Sequence, residues 1–186
     1  MLEKIPAAVG QALSGLKAGL EKTVFHADFA DASETIALTS PAFADGARMP
    51  VRFTADGDGT SPPLAWSGLS AGTASVAILA EDAGSPTPQP LVHLIVWNLA
   101  PDVSDLAEGA ASANARVDLG KNSFLKDGWL PPDPPTGHGP HRYLFQVYAL
   151  DRLLDLPASP GRGALVDAMR GHVLAKGSLA GIYERR

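Results

Sequence analysis

The sequence predicts a mainly β domain of antiparallel strands, and three observations carry that expectation. Sixteen prolines and nineteen glycines cut the chain into short segments. Between them lie apolar runs rich in β-branched and aromatic residues, the composition that suits a pleated, half-buried surface. Helical periodicity is credible in only two places, the N-terminus and Gly163 to Lys176.

The first 25 residues are read as a unit apart from the domain, which is taken to span 26–186. Leu2, Ile5, Val9, Leu13, Leu16 and Leu20 recur at steps of three and four, the stripe of an amphipathic helix. Gln11, Lys17, Glu21 and Lys22 interrupt any continuous apolar block, so the segment is expected to pack on its own domain or on a second copy rather than to direct export. Nothing in the chain approaches the ~20 apolar residues of a transmembrane span.

Six strands are expected: Ile36 to Ser40, Val51 to Ala55, Ser75 to Asp82, Val92 to Leu99, His141 to Leu150 and Ser178 to Arg185. The stretch Gly163 to Lys176 carries Leu165, Val166, Met169, Val173 and Leu174 at helical spacing and should lay them on the sheet. Two Pro/Gly-rich connectors, Asp56 to Gly68 and Lys121 to Pro140, are long and carry the buried-type aromatics Trp66, Phe124 and Trp129. Connectors of this length in a compact domain are usually functional or disordered, and aromatics among prolines favour an ordered, functional loop.

Charge and cysteine content exclude several classes. Fifteen basic against twenty acidic residues give a net charge of −5 with no cationic cluster, so nucleic acid is not an expected partner. Cysteine is absent, which removes disulfides, thiolate metal sites and thiol nucleophiles and fits a reducing, cytoplasmic setting.

Period-two alternation places Asp82 on one face at the end of its strand, with Val76, Ile78 and Ala80, and His93 on one face of the next strand with Ile95 and Trp97. If these strands pair antiparallel, Asp82 and His93 reach the same sheet end. The third long strand sets His141, Tyr143, Phe145, Val147 and Ala149 on a shared face, with His141 first after the proline loop. Two imidazoles that can donate to an anion, a carboxylate, and glycine-rich N–H groups suit a small phosphorylated head group. A hydrolase is the rival reading of the same cluster. A Ser/His/Asp set can be drawn with Ser61 or Ser123, but no G-x-S-x-G elbow supports it. Zinc could use Asp82, His93, His138 and His141, yet the Gly-Pro between the last two histidines lacks the register of a helical metal site, so no metal is assigned.

The runs DGDGTSPPLAWSG, SVAILAEDAGSP, LVHLIVWNLAP, GKNSF, PPTGHGPHRYLFQVYALD and GHVLAKGSLAGIYER, in this order across about residues 26–185, resemble the phosphatidylethanolamine-binding (Raf kinase inhibitor-like) family in its bacterial branch. The resemblance implies a β-sandwich-like fold of two antiparallel sheets with a few peripheral helices and an anion pocket at one sheet end. Carried over by position, it puts Asp82, Pro86, His93, Gly137, His138, Gly139, His141 and Tyr143 at a ligand site. The family's second acidic rim position is Gly84 here and its first rim proline is Ala83, which departs from the pattern that selects an amine-bearing head group. Pro62 and Pro63 are expected to shape a neighbouring loop, Arg142 to face away from the pocket, and Ser85–Pro86 is a candidate cis bond. Lacking the family's further C-terminal helix after SLAGIYER, the chain looks like the shorter type with a more open pocket.

The expected function is that of a non-enzymatic binding protein, without cofactor, whose pocket takes a small anionic or phosphorylated group. By the resemblance it would regulate a protein kinase or protease and pair as a homodimer. Because an unperturbed histidine titrates near pH ~6.5, anion affinity is expected to rise as pH falls through that region.

Overall fold

The computed structural model describes residues 6–112 and 115–185. Its strands are β1 (Ala37–Thr39), β2 (Leu64–Ser67), β3 (Ser75–Asp82), β4 (Leu91–Leu99), β5 (Asp105–Leu106), β6 (Asp118–Leu119), β7 (His141–Leu150) and β8 (Val173–Tyr183). The helices are α1 (Ala7–Leu13), α2 (Val24–Ala27) and α3 (Arg162–Met169). A five-stranded sheet runs β6-β4-β3-β7-β8 and a three-stranded sheet β1-β2-β5, with every named strand pair antiparallel.

All of β3 is buried, because each of its faces meets a different layer. Val76, Ile78 and Ala80 pack with Leu38, Leu64, Trp66 and Leu106 of the smaller sheet. Ala77 and Leu79 pack with Val24 and Phe25 of α2 and Leu165, Val166 and Met169 of α3. The result is sheet on sheet with short helices outside, as a period of two through an apolar run requires when both faces are covered.

Two buried charges tie the helical layer down. Glu81, fully buried, accepts hydrogen bonds from the Val24 N–H at 2.7 Å, Gln146 Nε2 at 2.8 Å and Arg162 Nε at 2.9 Å. Lys176, also buried, donates to the carbonyls of Phe25 and Phe29 at 3.0 and 2.8 Å.

Several expectations need correction. The N-terminal stripe does not form one long helix: α1 ends at Leu13, where the Ser14 hydroxyl turns back onto the Gln11 carbonyl, and Gly19, at φ +98°, redirects the chain into a 3-10 turn at Leu20–Lys22. Val9 and Leu16 of that stripe are exposed, while Gly10 is the buried contact; Leu2 and Ile5 lie outside the described residues. Val51–Phe53 is a 3-10 turn rather than a strand, closed by the Thr54 hydroxyl donating to the Val51 carbonyl. The strand in that region is β2, inside the supposed loop, and it pairs Trp66 with Leu38. Helix α3 stops at Met169 because Gly171 adopts φ +79°, so Val173 and Leu174 start β8 instead of continuing the helix. Trp66 is buried and Trp129 stacks on Phe145, but Phe124 points outward, 49% exposed, because Asn122 anchors that loop from inside. Ser85–Pro86 is trans, as are the other described peptide bonds.

Candidate functional site

Strands β3 and β7 pair without a slip along their whole length, and Asp82 stands opposite Tyr143 at the last rung. Strand β4 needs an irregularity to join them. Ala80 pairs with Leu94, but Glu81 already pairs with Val92, so His93 is an extra residue. Val92, Ile95 and Trp97 all belong to the core on the helical side, whereas Leu94 and Val96 face the smaller sheet. The sequence reading that put His93 on the face of Ile95 and Trp97 is therefore corrected. A β-bulge turns it to the other face, where it meets Tyr143 and Trp129. The bulged residue is pinned to the proline loop: its carbonyl accepts the Leu130 N–H at 2.8 Å, and its Nδ1 lies 2.6 Å from the Leu130 carbonyl.

These strand ends surround a cavity of about 40 Å³. A water needs roughly 10–15 Å³ on this measure, so the space suits a small polar head rather than a chain. Its lining is Asp82, Ser85, Pro86, Leu91, His93 and His141 from the strand ends and Phe124, Leu130, Pro131, Asp133, Pro134 and Pro135 from the long loop. Of the expected ligand residues, Asp82, Pro86, His93 and His141 thus come together, whereas Tyr143 does not line the cavity and lies behind it, packed against both imidazoles. Gly137, His138 and Gly139 do not form the wall. Positive φ angles of +80° and +96° at the two glycines swing that turn toward α1, and the wall is built by 130–135 instead. Arg142 is exposed on the opposite side, beside Lys17 and Glu21, as its parity demands.

Sequence reading missed the residue that holds this wall. Arg185, just past β8, donates to the Pro134 carbonyl at 2.9 Å and pairs with Asp133 at 2.7 Å and Asp56 at 2.6 Å. Burial opposes its charge, but the hydrogen bonds to Asp56 and Asp133 outweigh it and hold its proton more firmly than usual. An Asp far upstream and an Arg at the other end of the chain carry no local pattern that would join them.

The three polar side chains behind the cavity form a chain. His141 Nδ1 lies 2.7 Å from Asp82 Oδ2, His141 Nε2 lies 2.8 Å from His138 Nδ1, and His138 Nε2 lies 2.9 and 3.1 Å from the carbonyls of Leu13 and Leu16. Carbonyls only accept, so His138 Nε2 carries a hydrogen. Each of the other two contacts needs one hydrogen between its atoms. Three hydrogens on two imidazoles and a carboxylate is one more than two neutral histidines and an ionised aspartate hold, so the trio is electrically neutral. Burial, then the neighbouring His141, pushes the His138 pKa down. Asp82 Oδ1 is also occupied, by the Gly84 N–H at 2.8 Å.

Two buried polar atoms beside this saturated chain lack a well-formed hydrogen bond: His93 Nε2, and the Tyr143 hydroxyl, whose nearest polar neighbour is the Asp82 carboxylate. With Nδ1 donating to Leu130, a neutral His93 presents Nε2 as an acceptor. Burial pushes its pKa down against the pull of Asp82, so the neutral form is favoured. Burial, reinforced by the charge of Asp82, drives Tyr143 well above the usual phenol range, which keeps it a donor. The two serines that a hydrolase reading could draw on are engaged elsewhere: Ser61 Oγ accepts the Ala111 N–H and Ser123 Oγ the Val92 N–H. Among the described residues, no group of three or more His, Asp or Glu is placed to hold a metal ion, and no helix is long and apolar enough to cross a membrane.

The profile of the family described as phosphatidylethanolamine-binding protein matches residues 39–184. A UPF0098 protein of Methanothermobacter thermautotrophicus is 37% identical over 151 residues, covering 80% of this chain and 98% of the relative. The crystal structure of CT736 from Chlamydia trachomatis, described as a homolog of that family, superposes with a TM-score of 0.75 at 37% identity, over 83% of this chain and all of the other (100%). Escherichia coli YbcL, described as a member of the mammalian family, gives 0.76 at 29% identity, over 82% of this chain and 99% of its own.

Proposed function

The chain belongs to the phosphatidylethanolamine-binding protein family, and on that premise we propose that it is a binding protein whose pocket takes a small phosphorylated or similarly anionic head group that enters carrying a proton. The observation that carries this reading is the pair of buried atoms that lack a well-formed hydrogen bond, His93 Nε2 and the Tyr143 hydroxyl, set beside a trio whose net charge is zero. A phosphomonoester monoanion matches that pair: its P–OH donates to His93 Nε2, and a phosphoryl oxygen accepts from Tyr143. Because the trio is neutral, Asp82 does not repel the anion as a lone carboxylate would. The wall is rich in proline and apolar, surroundings in which a hydrogen bond is stronger than in water.

The test is calorimetry of phenyl phosphate and O-phosphoethanolamine at pH 6 and pH 7.5, in buffers of different ionisation enthalpy. Tighter binding at pH 6 and net proton uptake at pH 7.5 are expected. Affinity that is indifferent to pH and to His93→Gln would overturn the reading, and steady release of phosphate from either compound would favour a hydrolase. A cytoplasmic setting, homodimer formation and control of a kinase or protease extend the reading. Their support is the absence of cysteine for the first and family membership for the others. Cell fractionation, sedimentation and a pull-down competed by phenyl phosphate test them in turn.

A further inference from the structure

Residues 7–19 precede the matched family region, yet they are laced to the turn that follows the pocket's proline wall and to its Ser85 rim. On one side Gly10 of α1 packs so closely on the 136–138 turn that a Cβ there would lie 2.0 Å from the Thr136 carbonyl oxygen. On the other side, the Ala18 N–H donates to the Ser85 carbonyl at 2.8 Å and the Gly19 N–H to the Ala83 carbonyl at 2.9 Å. Between them the Leu13 and Leu16 carbonyls converge on His138 Nε2. The segment is a strap behind the site: none of its residues lines the cavity, and it meets the polar chain through the two carbonyls on His138.

That contact sets the hydrogen count. With the strap docked, His138 must keep a hydrogen on Nε2, each of the two inner contacts holds one more, and the trio holds three hydrogens at zero net charge. With the strap lifted, His138 is free to carry its hydrogen on Nδ1 instead. It then donates to His141 Nε2, His141 Nδ1 donates to Asp82, and two hydrogens satisfy both contacts. The trio then carries one negative charge beside the cavity. The other charged groups nearby do not supply the missing hydrogen. Lys17 on the strap and His141 are the charges acting on His138, Asp82 and His141 those acting on His93, and Asp133 is paired with Arg185.

We propose that docking of the N-terminal strap holds the Asp82–His141–His138 chain in its neutral, three-hydrogen state and so makes the pocket competent for an anion, with His138 as the positioning residue that couples the two. The consequence for affinity rests on the anion-pocket reading above; the geometry does not. By linkage, an anion in the pocket must in turn hold the strap down.

The experiment uses the full chain and Gly10→Val, which cannot keep α1 against Thr136, with Gly15→Ala as control because a Cβ at Gly15 meets nothing within 4 Å. Long-range proton–nitrogen NMR of the imidazoles, without ligand, is expected to show His138 protonated at Nε2 in the wild type and Gly15→Ala, and at Nδ1 in Gly10→Val. Phenyl phosphate affinity is expected to drop about tenfold in Gly10→Val alone, the scale of one added charge a few ångströms from the ligand. An unchanged His138 tautomer in Gly10→Val overturns the proposal, as does a changed tautomer with unchanged affinity. If the wild type fails to bind phenyl phosphate, the anion reading falls, while the tautomer result still decides the strap's role. Should Gly10→Val not fold, hydrogen exchange of the wild type replaces it: saturating phenyl phosphate is expected to slow exchange at Ala18 and Gly19 several-fold, and no slowing with the pocket occupied overturns the coupling.

Discussion

The rings of His93 and Tyr143 meet edge to face, centroids 5.0 Å apart and planes at 87°, and each carries a buried polar atom without a well-formed hydrogen bond to the protein. A ligand that paired with both atoms would recover part of a cost, since leaving a polar group buried and unpaired costs about 1–3 kcal/mol. Tyr143→Phe removes one of these costs. Its urea midpoint is expected to stay level or rise slightly, while phenyl phosphate affinity falls about tenfold. A clear loss of stability would show that the hydroxyl is structural.

Burial lowers the His93 pKa, so the folded protein favours neutral imidazole. The sign follows from linkage: the stabilising contribution is complete above the ordinary value near ~6.5 and is lost as pH falls below it, because the unfolded chain then binds more protons. Ligand-free stability should decline from pH 6.5 to 5.5, and His93→Gln should reduce that decline. Urea titrations at several pH values measure both.

At Gly84 the family pattern and this chain part company, and the structure supplies a steric reason. A Cβ at that position would sit 2.6 Å from His141 Cα, a backbone atom that cannot step aside. Gly84→Ala is expected to cost about 1–3 kcal/mol as overpacking does, and Gly84→Asp more, by thermal or urea unfolding. An acidic residue accepted there without loss would mean that the rim can rearrange.

Glu81 is the neighbour of Asp82 in sequence and its opposite in role. Its carboxylate gathers the Val24 N–H, Gln146 and Arg162, which joins the sheet to two helices. Glu81→Gln should cost about 3 kcal/mol, because Arg162 loses its buried partner, and should leave phenyl phosphate affinity within twofold. Loss of affinity without loss of stability would assign Glu81 to the site.

Sequence reading succeeded where one face of a long strand is uniform. The bounds of β3 and β7 follow from alternation, which also sets Asp82, His141 and Tyr143 toward the same end. It failed where local chemistry overrode period. The bulge at His93 has no sequence mark, since Val92, His93 and Leu94 read equally well without it. Pro62 and Pro63 hid β2, because prolines there announce a loop while three of the next four residues pair with β1. The strap was invisible for a different reason. Its key contacts are backbone carbonyls at Leu13 and Leu16, and a carbonyl is present at every position.

The extra residue in β4 has a consequence for how such a pocket can change over time. Which side chain faces the cavity is decided by whether the count of residues between Leu91 and Leu94 is even or odd. Deleting one residue there would trade the imidazole for an aliphatic side chain in a single step, with the strand's pairing beyond Leu94 left intact. The polar identity of the site is therefore stored as the parity of a strand, and insertions or deletions reach it more directly than substitutions do.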